Sequence, residues 1–138
     1  MYQSFESLEV WKRASRLAVS IYRVLKDSRD YGLKDQMTRA AVSVPSNIAE
    51  GYERGTNPEF IRFLNIAKGS AAELRTQLFI AKEIGVISAE EMAELVEENR
   101  AISGMIRNLA KSRAARVGDH DNLPTPEAIN LESKDPNP

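Results

Sequence analysis

Four runs of apolar residues recur at spacings of three and four, and the segments between them are only a few residues long. The first run is Leu8, Trp11, Ala14, Ala18, Ile21, Tyr22 and Leu25, and the second is Leu33, Met37, Ala40, Ala41, Val44 and Ile48. The third is Phe60, Phe63, Leu64, Ala67, Ala71, Leu74, Leu78 and Ala81, and the fourth is Met92, Leu95, Val96, Ile102, Ile106 and Leu109. This period is that of one face of an α-helix. Breaks fall at Asp30-Tyr31-Gly32, Gly55 and Gly85. Helices of roughly 20 residues are about 30 Å long, so short connections force neighbours to run antiparallel. The expected fold is all-α, an up-down-up-down four-helix bundle over residues 1–115.

Local capping chemistry predicts where the helices begin. Ser7 is the expected N-cap of the first helix. Thr56 or Asn57 opens the third, with Pro58 in the first turn, where its missing N–H costs nothing. Ser88 with Glu91 forms a capping box for the fourth. Beyond the fourth stripe the pattern fails: GDHDNLPTPEAINLESKDPNP holds four of the six prolines and few large apolar residues. Residues 116–138 therefore read as a flexible acidic tail.

Composition narrows the function classes. A chain of 138 residues with 42% hydrophobic content is expected to form one domain. With no cysteine, disulfides, thiolate metal sites and a thiol nucleophile are excluded. No run of eighteen apolar residues suggests a membrane span, and the first residues lack the charged and apolar regions of a secretory leader. A cytoplasmic protein is expected. His120, the one histidine, sits in the tail between Asp119 and Asp121, which leaves the bundle without a histidine for a triad, a relay or a di-iron Glu-x-x-His set. No Gly-rich phosphate loop is present. Glu50 and Glu73 could form a carboxylate pair, but a structural role with Arg39, Arg54 or Arg75 accounts for them as well. Neither catalysis nor a cofactor or metal is expected.

The stretch AAVSVPSNIAEGYERGTNPEF, residues 40–60, is the least ordinary. Pro45 removes the hydrogen bond to the Ala41 carbonyl, at a cost of about 3 kcal/mol in an ordinary helix, and should kink it. Gly51 adds about 1 kcal/mol against alanine, yet it leaves room for a neighbouring helix. At 100° per residue, Gln36, Arg39, Ser43, Asn47, Glu50 and Arg54 form a polar row beside the apolar stripe. One reading is that these residues shape the bundle, with Ser43 or Asn47 satisfying backbone freed at Pro45. The other is a seam against a second subunit. The third helix favours the seam, because Ile66, Ile80 and Ile84 lie to one side of its stripe and Ile61 and Phe79 to the other, more than one core can use. The seam then comprises Arg39, Ser43, Asn47, Glu50, Arg54, Ile66, Glu73, Ile80 and Ile84.

The run QMTRAAVSVPSNIAEGYERGTNPEFIRFLNIAKGSAAELRTQL, residues 36–78, resembles the signature of the 23S rRNA-intervening-sequence four-helix-bundle proteins, as do FESLEVWKRASRLAVSIY and IGVIS. Its most specific pieces are NIAEG, residues 47–51, with Arg54, and GSAAEL, residues 69–74. The resemblance covers the bundle and stops before the tail. It implies a homo-oligomer, pentameric where the family is best known. It also implies kinship with the accessory variability protein of diversity-generating retroelements, a basic bundle that binds RNA and a reverse transcriptase.

Charge distribution bears on RNA. The total is −1, but up to Ala115 there are seventeen Lys and Arg against fifteen Asp and Glu. Lys12, Arg16 and Arg23 line up on the first helix with Arg13 beside them. Glu90, Glu91, Glu94, Glu97 and Glu98 open the fourth helix, whereas Arg100, Arg107, Lys111 and Arg113 occupy its later part. Complementing the helix dipole explains part of this. Lys12, Arg13, Arg16, Arg23, Arg100, Arg107 and Lys111 are the candidate phosphate contacts, forming one patch if the rows of helices one and four merge. The expected function is a non-enzymatic accessory protein that binds RNA, a protein partner, or both. The alternative is a scaffold without a nucleic-acid role.

Overall fold

The computed structural model describes residues 4–117, which form four α-helices and one short 3-10 turn, with no strand among them. The turn is Phe5–Ser7, and the helices are α1, Glu9–Val24; α2, Tyr31–Glu53; α3, Asn57–Glu83; and α4, Ala89–Ala114. The tail expectation falls on residues outside those described.

Start and stop chemistry accounts for most boundaries. Thr56 accepts from the Glu59 N–H and caps α3, with Pro58 in its first turn. Ser88 and Glu91 make the reciprocal capping box of α4. Gly55 and Gly85 follow α2 and α3 with φ of 86° and 83°, a left-handed conformation that glycine adopts without a Cβ penalty. Two details differ from the sequence reading. Ser7 does not cap α1: it lies in the 3-10 turn, Ser4 caps that turn, and Leu8 takes the N-cap position of α1 with no side-chain bond. The break before α2 is also shorter, because Asp30 accepts from the Leu33 N–H and caps the helix, drawing Tyr31 and Gly32 into its first turn.

α2 packs on α1 and α3, and α4 packs on α3 and α1, so each helix has two neighbours. α2 and α3 run in opposite senses: Arg54 meets Glu59 at one end, Ser43 meets Ser70 in the middle, and Arg39 shares a cleft with Glu73 farther along. α1 and α4 also oppose, since Arg13 reaches Glu98 whereas Arg23 lies beside Glu91 and Glu94.

Leu8, Ile21, Leu25, Met37, Ile48, Phe60, Leu64, Leu78, Ile106 and Leu109 are wholly buried, and side chains of this size contribute about 1.5–3 kcal/mol each relative to exposure. Small residues at Ala40, Ala41, Ala67 and Ala71 line the middle of α2 and α3. Tyr22, placed on the α1 stripe by periodicity, is 53% exposed; its position at the edge of the stripe leaves it outside the core.

α2 continues through Pro45, which is buried. The Asn47 amide donates to the Ser43 carbonyl and hydroxyl at 2.8 and 2.9 Å, so it does not serve the Ala41 carbonyl that Pro45 releases. Gly51 has a steric reason: a Cβ there would stand 2.5 Å from the Phe63 Cβ and 3.2 Å from the Phe60 ring.

Candidate functional site

The seam residues divide into a corner, a cleft and an apolar border. At the corner, Gly51 admits Phe63, and Arg54 closes the junction by pairing with Glu50 at 3.1 Å and Glu59 at 3.6 Å. The Arg54 and Arg62 guanidiniums lie 5.0 and 4.5 Å from the Phe63 ring centroid. Arg62 also bonds Glu59, and that bond is the largest cause holding the Glu59 carboxyl below its ordinary pKa. Glu50 and Arg54 are therefore engaged within the chain, and with them much of the NIAEG piece is explained by helix crossing.

One to four turns farther along, α2 and α3 diverge into an open cleft of about 360 Å³ lined by Gln36, Arg39, Ala40, Ser43, Glu73 and Gln77. Ser43 and Ser70 close one side through a 2.8 Å hydroxyl contact. Arg39 bonds Asp35 on its own helix at 3.0 Å. Glu73 is exposed and makes no hydrogen bond or ion pair among the described residues. Gln77, 8% exposed, has an Oε1 without a hydrogen-bond donor. Sequence reasoning missed Gln77 because it sits between Leu74 and Leu78 on the apolar stripe; a polar residue at a stripe position was the signal.

Ile66, Ile80 and Ile84 flank the cleft along α3, exposed by 41%, 47% and 56%. At 100° per residue, Ile66, Glu73, Gln77, Ile80 and Ile84 lie within about 60° of one another. They form one line with a polar centre and apolar ends. Phe79 is exposed on another side of α3, and Ile61 is half-buried.

The basic candidates fall into two groups. Arg13 makes a two-point bond to Glu98 at 2.7 and 3.0 Å and also approaches the Met105 sulfur. The Glu98 bond is the largest cause raising the Arg13 pKa. Arg13 is thus a strut between α1 and α4, where the sequence had offered Glu9 as its partner. Arg16 and Arg23 are exposed and Lys12 is half-buried, none with a carboxylate partner within the described residues.

Arg100, Arg107 and Lys111 are exposed, but they belong to the other side of α4. Asn99 and Ser103 face α3, where Arg75 bonds both. Helical spacing puts Arg100 and Arg107 within about 60° of Ser103 and roughly 160° or more from Glu98. The α1 and α4 rows therefore do not merge across the α1–α4 seam. Lys68, two turns before Arg75 on α3, is the basic neighbour that sequence reasoning passed over. Arg75 itself pairs with an amide and a hydroxyl, not with Glu50 or Glu73. Arg113 is fully buried, and burial, followed by the nearby Arg116 charge, lowers its pKa.

Among the described residues, no group of three His, Cys, Asp or Glu side chains could hold a metal ion. No described helix is long and apolar enough to cross a membrane.

No curated protein matches this chain. A solved structure described as a protein with unknown function from the S23 ribosomal protein family of Bacteroides thetaiotaomicron is similar, with a TM-score of 0.70 and 24% identity over 74% of this chain and 98% of that one. At that identity the likeness speaks to the fold. A family model described as 23S rRNA-intervening sequence protein matches residues 6–108, most of the bundle, and the chain belongs to that family.

Proposed function

We propose that this protein is a non-enzymatic, homo-oligomeric helical bundle that serves in the cytoplasm as an accessory, binding RNA and a protein partner such as a reverse transcriptase. The observation that carries the association is the α2–α3 face, where exposed Ile66, Ile80 and Ile84 border a polar cleft. An apolar line of this kind on a soluble bundle suits a partner surface. Support for RNA comes from Lys12, Arg16, Arg23, Arg100, Arg107 and Lys111, cations that no described carboxylate neutralises. Backbone phosphates attract such cations without regard to sequence, and each neutralised phosphate releases counterions. Repetition around an oligomer multiplies a modest patch.

Light scattering at micromolar concentration combined with an RNA titration at low and high salt tests both halves. The expected result is a multi-subunit particle whose RNA affinity falls steeply with salt. A particle that binds no RNA at low salt overturns the nucleic-acid half. It promotes the second reading, a scaffold, which the commitment of Arg13 to Glu98 and the acidic start of α4 favour. A monomer overturns the association.

A further inference from the structure

The α2–α3 cleft contains acceptors with no donor. Gln77 Oε1 is buried and unpartnered, and the exposed Glu73 carboxylate, which lines the same cleft, makes no bond among the described residues. A buried amide oxygen that has lost water and gained nothing is costly, and buried polar groups in proteins are almost always paired. A single group that served both acceptors would be cationic and carry several N–H donors in a fork, which describes a guanidinium.

The same cleft presents one. Arg39 is tied only to Asp35, one turn back, through side chains 79% and 61% exposed. An exposed pair of that kind is weak and easily exchanged. The face thus displays a guanidinium and, separately, the acceptors that suit it.

Their placement is self-complementary. Ser43 and Ser70 touch across the groove and the two helices run in opposite senses, so Arg39, four residues back on α2, stands level with Glu73, three residues on along α3. A two-fold axis along the groove lays α2 of one chain over α3 of another, and an isologous contact of this type makes each interaction twice. We infer that Arg39 of a second copy of this chain occupies the Glu73–Gln77 cleft and that the first chain's Arg39 occupies the second's. Ile66, Ile80 and Ile84 border that contact and exclude water from it. The inference rests on the homo-oligomer reading and deepens it. It also departs from a simple five-membered ring, which needs two unlike faces on each chain.

Sedimentation equilibrium of the full chain tests it. Arg39→Glu and Glu73→Arg each place like charges in both contacts, so each variant alone should raise the dimer dissociation constant at least tenfold. An equimolar mixture of the two should associate again, because each supplies the sign that the other has lost. Pairing within a single chain predicts no such rescue. Gln77→Leu, which removes the buried acceptor while keeping an apolar filling, should weaken association and leave the circular dichroism spectrum unchanged. If the wild type associates but none of the variants alters its dissociation constant, or if the mixture stays apart, the inference is overturned while association through another face survives. A wild type found only as five-subunit particles also overturns it. A wild type that is monomeric throughout removes the oligomer reading itself.

Discussion

Gly51 and Phe63 approach so closely that a methyl group on the glycine would lie 2.5 Å from the Phe63 Cβ. Alanine gains about 1 kcal/mol of helix propensity over glycine, but the overlap is with an atom fixed to the α3 backbone, so the helices must move apart. Gly51→Ala should therefore destabilise the bundle by about 2 kcal/mol, the usual scale of overpacking. Urea unfolding followed by circular dichroism measures it. Adding Phe63→Ala should bring no relief, because that substitution keeps the offending Cβ; a fully rescued double variant would refute this account.

Glu59 gives the start of α3 an acid dependence. Its folded pKa is held low, chiefly by the Arg62 hydrogen bond, so its contribution is present above the unfolded-state value and lost as pH falls through the folded one. Glu59→Gln should lose less melting temperature than the wild type between about pH 5 and about pH 3. Superimposable curves for the two proteins would show that the pair does not matter to stability.

Ile80 and Ile84 are about half exposed. Replacing both with lysine should leave the unfolding midpoint of the isolated chain within about 0.5 kcal/mol, yet place two desolvated charges in the proposed contact. Light scattering should then report the mass of a single chain. A particle of unchanged mass would move the interface to another face.

The separation of the basic rows predicts separable effects on RNA. Arg16→Gln with Arg23→Gln tests the α1 row, and Arg100→Gln with Arg107→Gln tests the row that α4 turns toward α3. Whichever row carries phosphates should lose about two units of salt slope per subunit engaged. The other pair of substitutions should leave the slope unchanged. Titrations at several salt concentrations distinguish the rows, and equal slopes in both variants and the wild type would exclude both.

What was legible in the sequence is what depends on near neighbours along the chain. Thr56, the Ser88–Glu91 box, Gly55 and Gly85 act within one turn, and each stands where the residue types put it. Ser7 misled because a preceding 3-10 turn changes which residue precedes the helix, and that turn is stabilised by distant packing of Phe5 on Trp11, rings 5.3 Å apart. The site was less legible, since its chemistry lies between helices. Arg13 has a same-face carboxylate at Glu9 but takes Glu98 from another helix, and Arg75 takes Asn99 and Ser103. Spacing along one helix says which residues share a face; only the packing says what that face meets.

Asn99 has a consequence of its own. Wholly buried, it donates to the Ala71 carbonyl at 2.9 Å and accepts from Arg75 at 2.8 Å. Two apolar helices can slip past one another with small loss, but shifting α4 by one turn, about 5.4 Å, would strand both ends of this amide at about 1–3 kcal/mol each. A buried asparagine in a helical core commonly fixes register in this way. The α4 cations are thereby indexed to α3 at a single setting, so every chain offers the same charge spacing to whatever approaches that side.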